Sequence, residues 1–157
     1  MNFAFDPRTG WNIIMISPNP PASTAAGTRV AGLSATAGRV LLSAIFLVSG
    51  AGKLAAPGAT LATIEAAGLP LPPVSYAAAT LVEIVGGLLL IAGYRTRLVA
   101  LILAAFAVAT AVTFHAALGD QNQMFHFLKN LAMAGGLLQV AAFGGGPFSL
   151  DDRLGRR

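Results

Sequence analysis

Apolar residues gather along this chain in four blocks, at about Ala35–Leu54, Pro73–Gly93, Leu98–Leu118 and Gln123–Phe143. Each is close to the ~20 residues that a helix rising 1.5 Å per residue needs to cross a ~30 Å hydrocarbon core. Runs such as Gly-Gly-Leu-Leu-Leu-Ile-Ala-Gly (residues 86–93) do not alternate, as barrel strands must. Lipid offers the backbone no hydrogen-bond partners, so helices are the open-ended solution that remains. The pattern therefore predicts an all-α fold with four transmembrane helices.

The connections refine this picture. Pro57 suits a helix start, and Gly68 followed by Pro70 suits a stop, which predicts a short interfacial helix over about Pro57–Ala67. Residues 93–97 make a tight turn, and Asp120 and Asn122 are turn formers between the third and fourth blocks. Short links force antiparallel neighbours, hence an up-down four-helix bundle. Three regions are expected: a flexible tail over residues 1–30, a membrane domain over 31–150 and a polar tail over 151–157. The apolar stretch Ile13–Ile16 is too short for a signal-peptide core. Gly86–Gly87 and Gly135–Gly136 allow close helix packing.

Composition removes the soluble alternative. Of the 157 residues 55% are hydrophobic and 10% charged, and the mean hydropathy is +0.72. Soluble domains carry roughly 25% charged residues. The net charge of +4 does not imply nucleic acid, because the ten basic residues form no run or stripe. Arg8, Arg29, Arg39, Arg95, Arg97, Arg153, Arg156 and Arg157 instead map to one side of the bundle, and Lys53 and Lys129 to the other. Positive residues stay inside, so both termini are expected in the cytoplasm and the interfacial helix on the outer side. With no cysteine, the chain can neither form a disulfide nor hold an iron–sulfur cluster by thiolates.

Glu83 is the costliest residue, since a carboxylate near the bilayer centre must be paired, protonated or wet. It shares a helical face with Tyr76, Thr80 and Gly87. Lys129, beside Asn130 and on a face with His126 and Met133, is its expected partner. Lys53 closes the first helix on the same outer side, and His115 lies near the outer end of the third. Each helix thus contributes a polar group to the outer half of the bundle, and the candidate ligand-binding cluster is Lys53, Glu83, His115, Lys129 and Asn130. The two histidines flank a short turn without a second pair or an attachment motif, so neither haem nor another metal is expected. The Gly144–Gly146 run follows a helix and is a terminator, not a phosphate loop.

Several segments together (residues 38–54, 66–72, 81–101, 127–138 and 143–154) resemble the DoxX family of small bacterial membrane proteins, over roughly Gly38–Leu154. The resemblance implies a multi-pass inner (plasma) membrane protein of a bacterium, associated with respiratory or redox assemblies. It also maps the family's polar positions onto the five cluster residues. Two readings of the cluster follow. In one, the chain is a quinone-interacting subunit of an oxidoreductase complex: Glu83 or His115 exchanges protons while Lys129 and Asn130 donate hydrogen bonds to the head group. No electron-carrying cofactor is evident for catalysis by this subunit alone. In the other, the cluster is a buried network in a membrane scaffold or assembly protein. A small transporter is a third alternative, although four short unbroken helices suit alternating access poorly. The expected partners are the lipid bilayer and a protein of a membrane redox complex; a homo-oligomer stays open, as do the substrate and the catalytic role.

Overall fold

The computed structural model describes the backbone of residues 2–6, 10–14 and 22–156 and the side chains of residues 27–156. The chain divides into two units, Met1–Ala31 and Gly32–Arg157. In the first, β1 (Asn2–Asp6) pairs antiparallel with β2 (Gly10–Ile14), Phe3 in register with Ile13 and Phe5 with Trp11. The expected flexible tail is thus a hairpin and the start of a helix where its residues are described. The alternation of Phe3 and Phe5, and of Trp11 and Ile13, is a strand period within that stretch. Residues 15–21, with Pro18, Pro20 and Pro21, lie outside the described residues.

Among the described residues six helices follow: α1 (Ala22–Ala55), α2 (Pro57–Ala66), α3 (Pro72–Ala92), α4 (Thr96–Phe114), α5 (Gln121–Phe143) and α6 (Leu150–Arg153). Proline opens α2 and α3, where a missing N–H costs nothing. Gly93, at φ 68°, ends α3: its N–H bonds to Leu90 O and that of Tyr94 to Leu89 O. Asp120 caps α5, its carboxylate accepting the Gln123 N–H at 2.8 Å.

Among the described residues, three helical segments are long and apolar enough to cross a membrane: Gly27–Ala55, Pro72–Ala92 and Thr96–Phe114. At 23 residues α5 is long enough, but His126, Lys129, Asn130 and Gln139 dilute its apolar character. All four long helices share one core, built from Phe46 of α1, Leu90 of α3, Leu103 and four neighbours of α4, and Ala134 and Leu137 of α5. Outward they present bare apolar side chains, Leu41, Val48, Leu81, Val112 and Leu138 among them. Burying these faces in lipid rather than water is what makes this surface stable.

Small residues set the spacing. A Cβ on Gly87 would lie 2.8 Å from Leu47 Cδ2, and one on Gly50 2.7 Å from Ile84 Cδ1, so α1 and α3 touch through glycine. Gly86 receives Leu103 of α4 in the same way, whereas Gly135 faces open space.

A polar network closes the end of the helices opposite Lys53. Arg39, expected as a charge at the membrane boundary, is 1% exposed. Its Nη1 donates to Leu90 O and Ile91 O at 3.1 Å each, neutralising the carbonyl end of α3, and its Nη2 donates to Thr36 Oγ1. The C-terminal segment is likewise not the solvated tail that its polarity suggests. Ser149 caps α6, and the buried Asp151 accepts hydrogen bonds from Arg95 N, Thr96 N and Thr96 Oγ1 at 2.7–2.8 Å. Arg95 starts α4 without a side-chain cap of its own, so Asp151 serves as that cap.

Candidate polar cavity

Lys53 and Glu83 form the centre of the polar end. Glu83 faces inward from the middle of α3 and is 4% exposed; Lys53 stands in the last turn of α1. Lys53 Nζ lies 2.8 Å from each carboxylate oxygen. Ser49, one turn before Lys53, donates from Oγ to Glu83 Oε1 at 3.0 Å and accepts from Lys53 Nζ at 2.9 Å. Tyr76 Oη donates to the Lys53 carbonyl at 3.2 Å, tying the start of α3 to the end of α1. A charge pair taken out of water is tolerable when its remaining lone pairs and protons are met in this manner.

Lys129, the partner expected for Glu83, does not take that place. It is exposed on α5, its Nζ 3.1 Å from His126 Nδ1. The reason is adjacency: α1 lies directly against α3 through Gly50 and Gly87, so Lys53 reaches the carboxylate. Asn130 is buried one turn beyond His126 and donates from Nδ2 to its carbonyl.

His115 is the residue on which α4 ends, and its Nδ1 lies 2.8 Å from Gln123 Oε1 across the α4–α5 turn. The His115 and His126 rings stack with centroids 4.9 Å apart and planes 22° from parallel. Axial ligands of one haem need the macrocycle between them, and stacked rings leave it no room. Among the described residues no three His, Cys, Asp or Glu side chains converge as metal ligands.

These groups line a half-open cavity of about 160 Å³. Glu83, His115, His126, Lys129 and Asn130 supply polar lining, with Ser49 and Thr110; Ile45, Phe46, Phe106, Ala107 and Met133 supply the apolar walls. Four of the five sequence candidates therefore line one space, and the fifth, Lys53, is ion-paired to its wall. Sequence reasoning left Ser49, His126 and Gln123 out of the cluster. Ser49 was accessible, lying four residues before Lys53 on the same helical face; Gln123 depends on how the α4–α5 turn closes.

The profile of the DoxX family, described by that name, matches residues 34–116. The inner membrane protein YqjF of Escherichia coli (strain K12) is 35% identical over 122 residues, covering 76% of this chain and 90% of that protein. The inner membrane protein YphA of the same organism is 30% identical over 120 residues, covering 73% and 86%. No solved structure matches the chain. On the profile match and the extent of both likenesses, this membrane protein belongs to the DoxX family.

Proposed function

We propose that the chain is an inner membrane protein that crosses the bilayer four times in up-down order, with both termini cytoplasmic, and holds a quinone head group in the cavity as a subunit of a redox assembly. The two relatives named as inner membrane proteins support the location. The shared core of α1, α3, α4 and α5 supports a fourth span in α5, whose His126, Lys129 and Asn130 line the cavity. The arginine-rich turn at Arg95 and Arg97 and the C-terminal arginines support the orientation.

The observation that carries the ligand reading is the cavity itself. A space of ~150 Å³ is enough for a benzene molecule, and this one is about 160 Å³, with apolar walls and a few converging polar groups. A single six-membered ring is of that size. The chain contributes binding and orientation, Lys129 and Asn130 acting as hydrogen-bond donors.

The test is mass spectrometry of small molecules that co-purify in mild detergent, wild type against Glu83→Ala. A quinone present in the first and lost in the second supports the reading; its absence from both removes it. A scaffold is the second reading, favoured by Glu83 being satisfied by Lys53 and Ser49 without a ligand. It predicts a partner protein retained by the wild type and no bound ring.

A further inference from the structure

The stacked histidines hold information that the cavity volume does not. Gln123 Oε1 can only accept a hydrogen bond, so His115 Nδ1 carries the proton and its Nε2 offers a lone pair. An ammonium can only donate, so Lys129 fixes His126 Nδ1 as the acceptor and leaves the proton on Nε2. Both rings line the cavity, and neither Nε2 has a partner among the described residues. The stacked pair, its ring centroids 4.9 Å apart, thus adds one acceptor and one donor to the residues that line the cavity.

We propose that His115 and His126 form a tautomer-locked pair that selects the ring by its hydrogen-bond pattern, with Gln123 and Lys129 as positioning residues; this rests on the cavity being a ligand site. A ring whose oxygens are all acceptors meets the His126 N–H and leaves the His115 lone pair unmatched. A ring hydroxyl, which can donate to His115 Nε2 and accept from the His126 N–H, meets both. For a quinone this favours the reduced hydroquinone form over the oxidised one. A polar group that the ligand covers without matching weakens binding by roughly tenfold or more.

The chain has two histidines, so labelling with ¹⁵N-histidine gives two imidazoles to read. In the ligand-free protein in detergent at neutral pH, one Nδ1–H ring and one Nε2–H ring are expected. Gln123→Leu should convert the first to an ordinary mixture of tautomers. Two Nε2–H rings, or two imidazolium rings, overturn the locked pair whatever binds. Short-tailed quinone and its hydroquinone are then compared under argon by the shift each gives in thermal unfolding. The hydroquinone should bind about tenfold more tightly, and Gln123→Leu should level the two. Equal affinities with the tautomers in place overturn the selection alone. Binding of neither form with the tautomers in place overturns the selection and the ligand reading together.

Discussion

The carboxylate of Asp151 reaches back 55 residues to Thr96, taking hydrogen bonds of 2.7 Å from both its backbone N–H and its hydroxyl. A third, from Arg95 N at 2.8 Å, completes a cap that α4 lacks locally. The return is held by Asp151 N–H donating to Gly93 O, so the C-terminal segment pins the α3–α4 turn from both sides. Asp151→Ala leaves these buried donors unmet and should cost about 1–3 kcal/mol. Thermal unfolding in detergent checks this; an unchanged midpoint would mean that water replaces the cap freely.

The same residue makes stability depend on acid. Burial alone would raise the Asp151 pKa, but the bonds from Thr96 N and Oγ1, then Arg95 N and the Arg156 charge, outweigh it and hold it below its ordinary value of 3.8. A group whose folded pKa is depressed stabilises fully above its unfolded value, and the contribution fades as pH falls through the folded pKa. The gap in stability between wild type and Asp151→Asn should therefore stay constant from neutral pH down to about 5, and narrow below 3.8. Unfolding curves at stepped pH read it directly. A gap that widens in acid would reverse the assignment.

Nothing local announces this cap, and that marks where the sequence stops being legible. Pro57, Gly68 and Pro72 bracket α2 and start α3 within a residue or two of expectation, because prolines and glycines act on their own backbone. The apolar blocks locate α3 and α5 nearly to the residue, since the apolar run and its flanking turn formers mark both ends. Glu83 stands out by chemistry alone. Its partner does not: choosing Lys53 over Lys129 requires knowing that α1 lies against α3, which glycines at positions 50 and 87 permit but do not advertise. The segment Ser149–Leu154 is polar throughout, and its burial depends on donors supplied by a turn far away in the chain.

Two glycines in adjacent halves of the fold should behave oppositely. A Cβ at Gly87 meets Leu47 at 2.8 Å, so Gly87→Ala must displace the Leu47 side chain from the α1–α3 contact and should cost about 1–3 kcal/mol. Gly135 meets nothing within 4 Å, and Gly135→Ala should gain up to ~1 kcal/mol from helix propensity. Unfolding midpoints of the two variants, measured side by side, should shift in opposite directions. A loss at both positions would point to a partner covering the α5 face.

The absence of cysteine makes the topology easy to read. Single cysteines at Gly119, in the α4–α5 turn, and at Arg156, in the C-terminal segment, should label from opposite sides of intact spheroplasts and inverted vesicles. With the proposed orientation, a membrane-impermeant maleimide reaches position 119 from outside and position 156 after inversion. Labelling of both from one side would mean that α5 does not span.

The Lys53–Glu83 pair separates structure from ligand binding most sharply. Glu83 is buried and Lys53 partly so, so removing one member leaves the other poorly paired at a cost of up to ~3 kcal/mol, whereas removing both is far gentler. Lys53→Met and Glu83→Gln should each lower stability, and the double variant should recover much of the loss; the coupling in a double-mutant cycle gives the size of the interaction. If the pair only fastens α1 to α3, the stable double variant keeps every property of the wild type. If the pair forms the floor of a ligand site, the double variant folds but no longer retains the ring, because the Glu83 wall of the cavity has changed while His115, His126, Lys129 and Asn130 stay in place. Comparing unfolding midpoints with ligand retention on that one protein distinguishes a fastening from a binding surface.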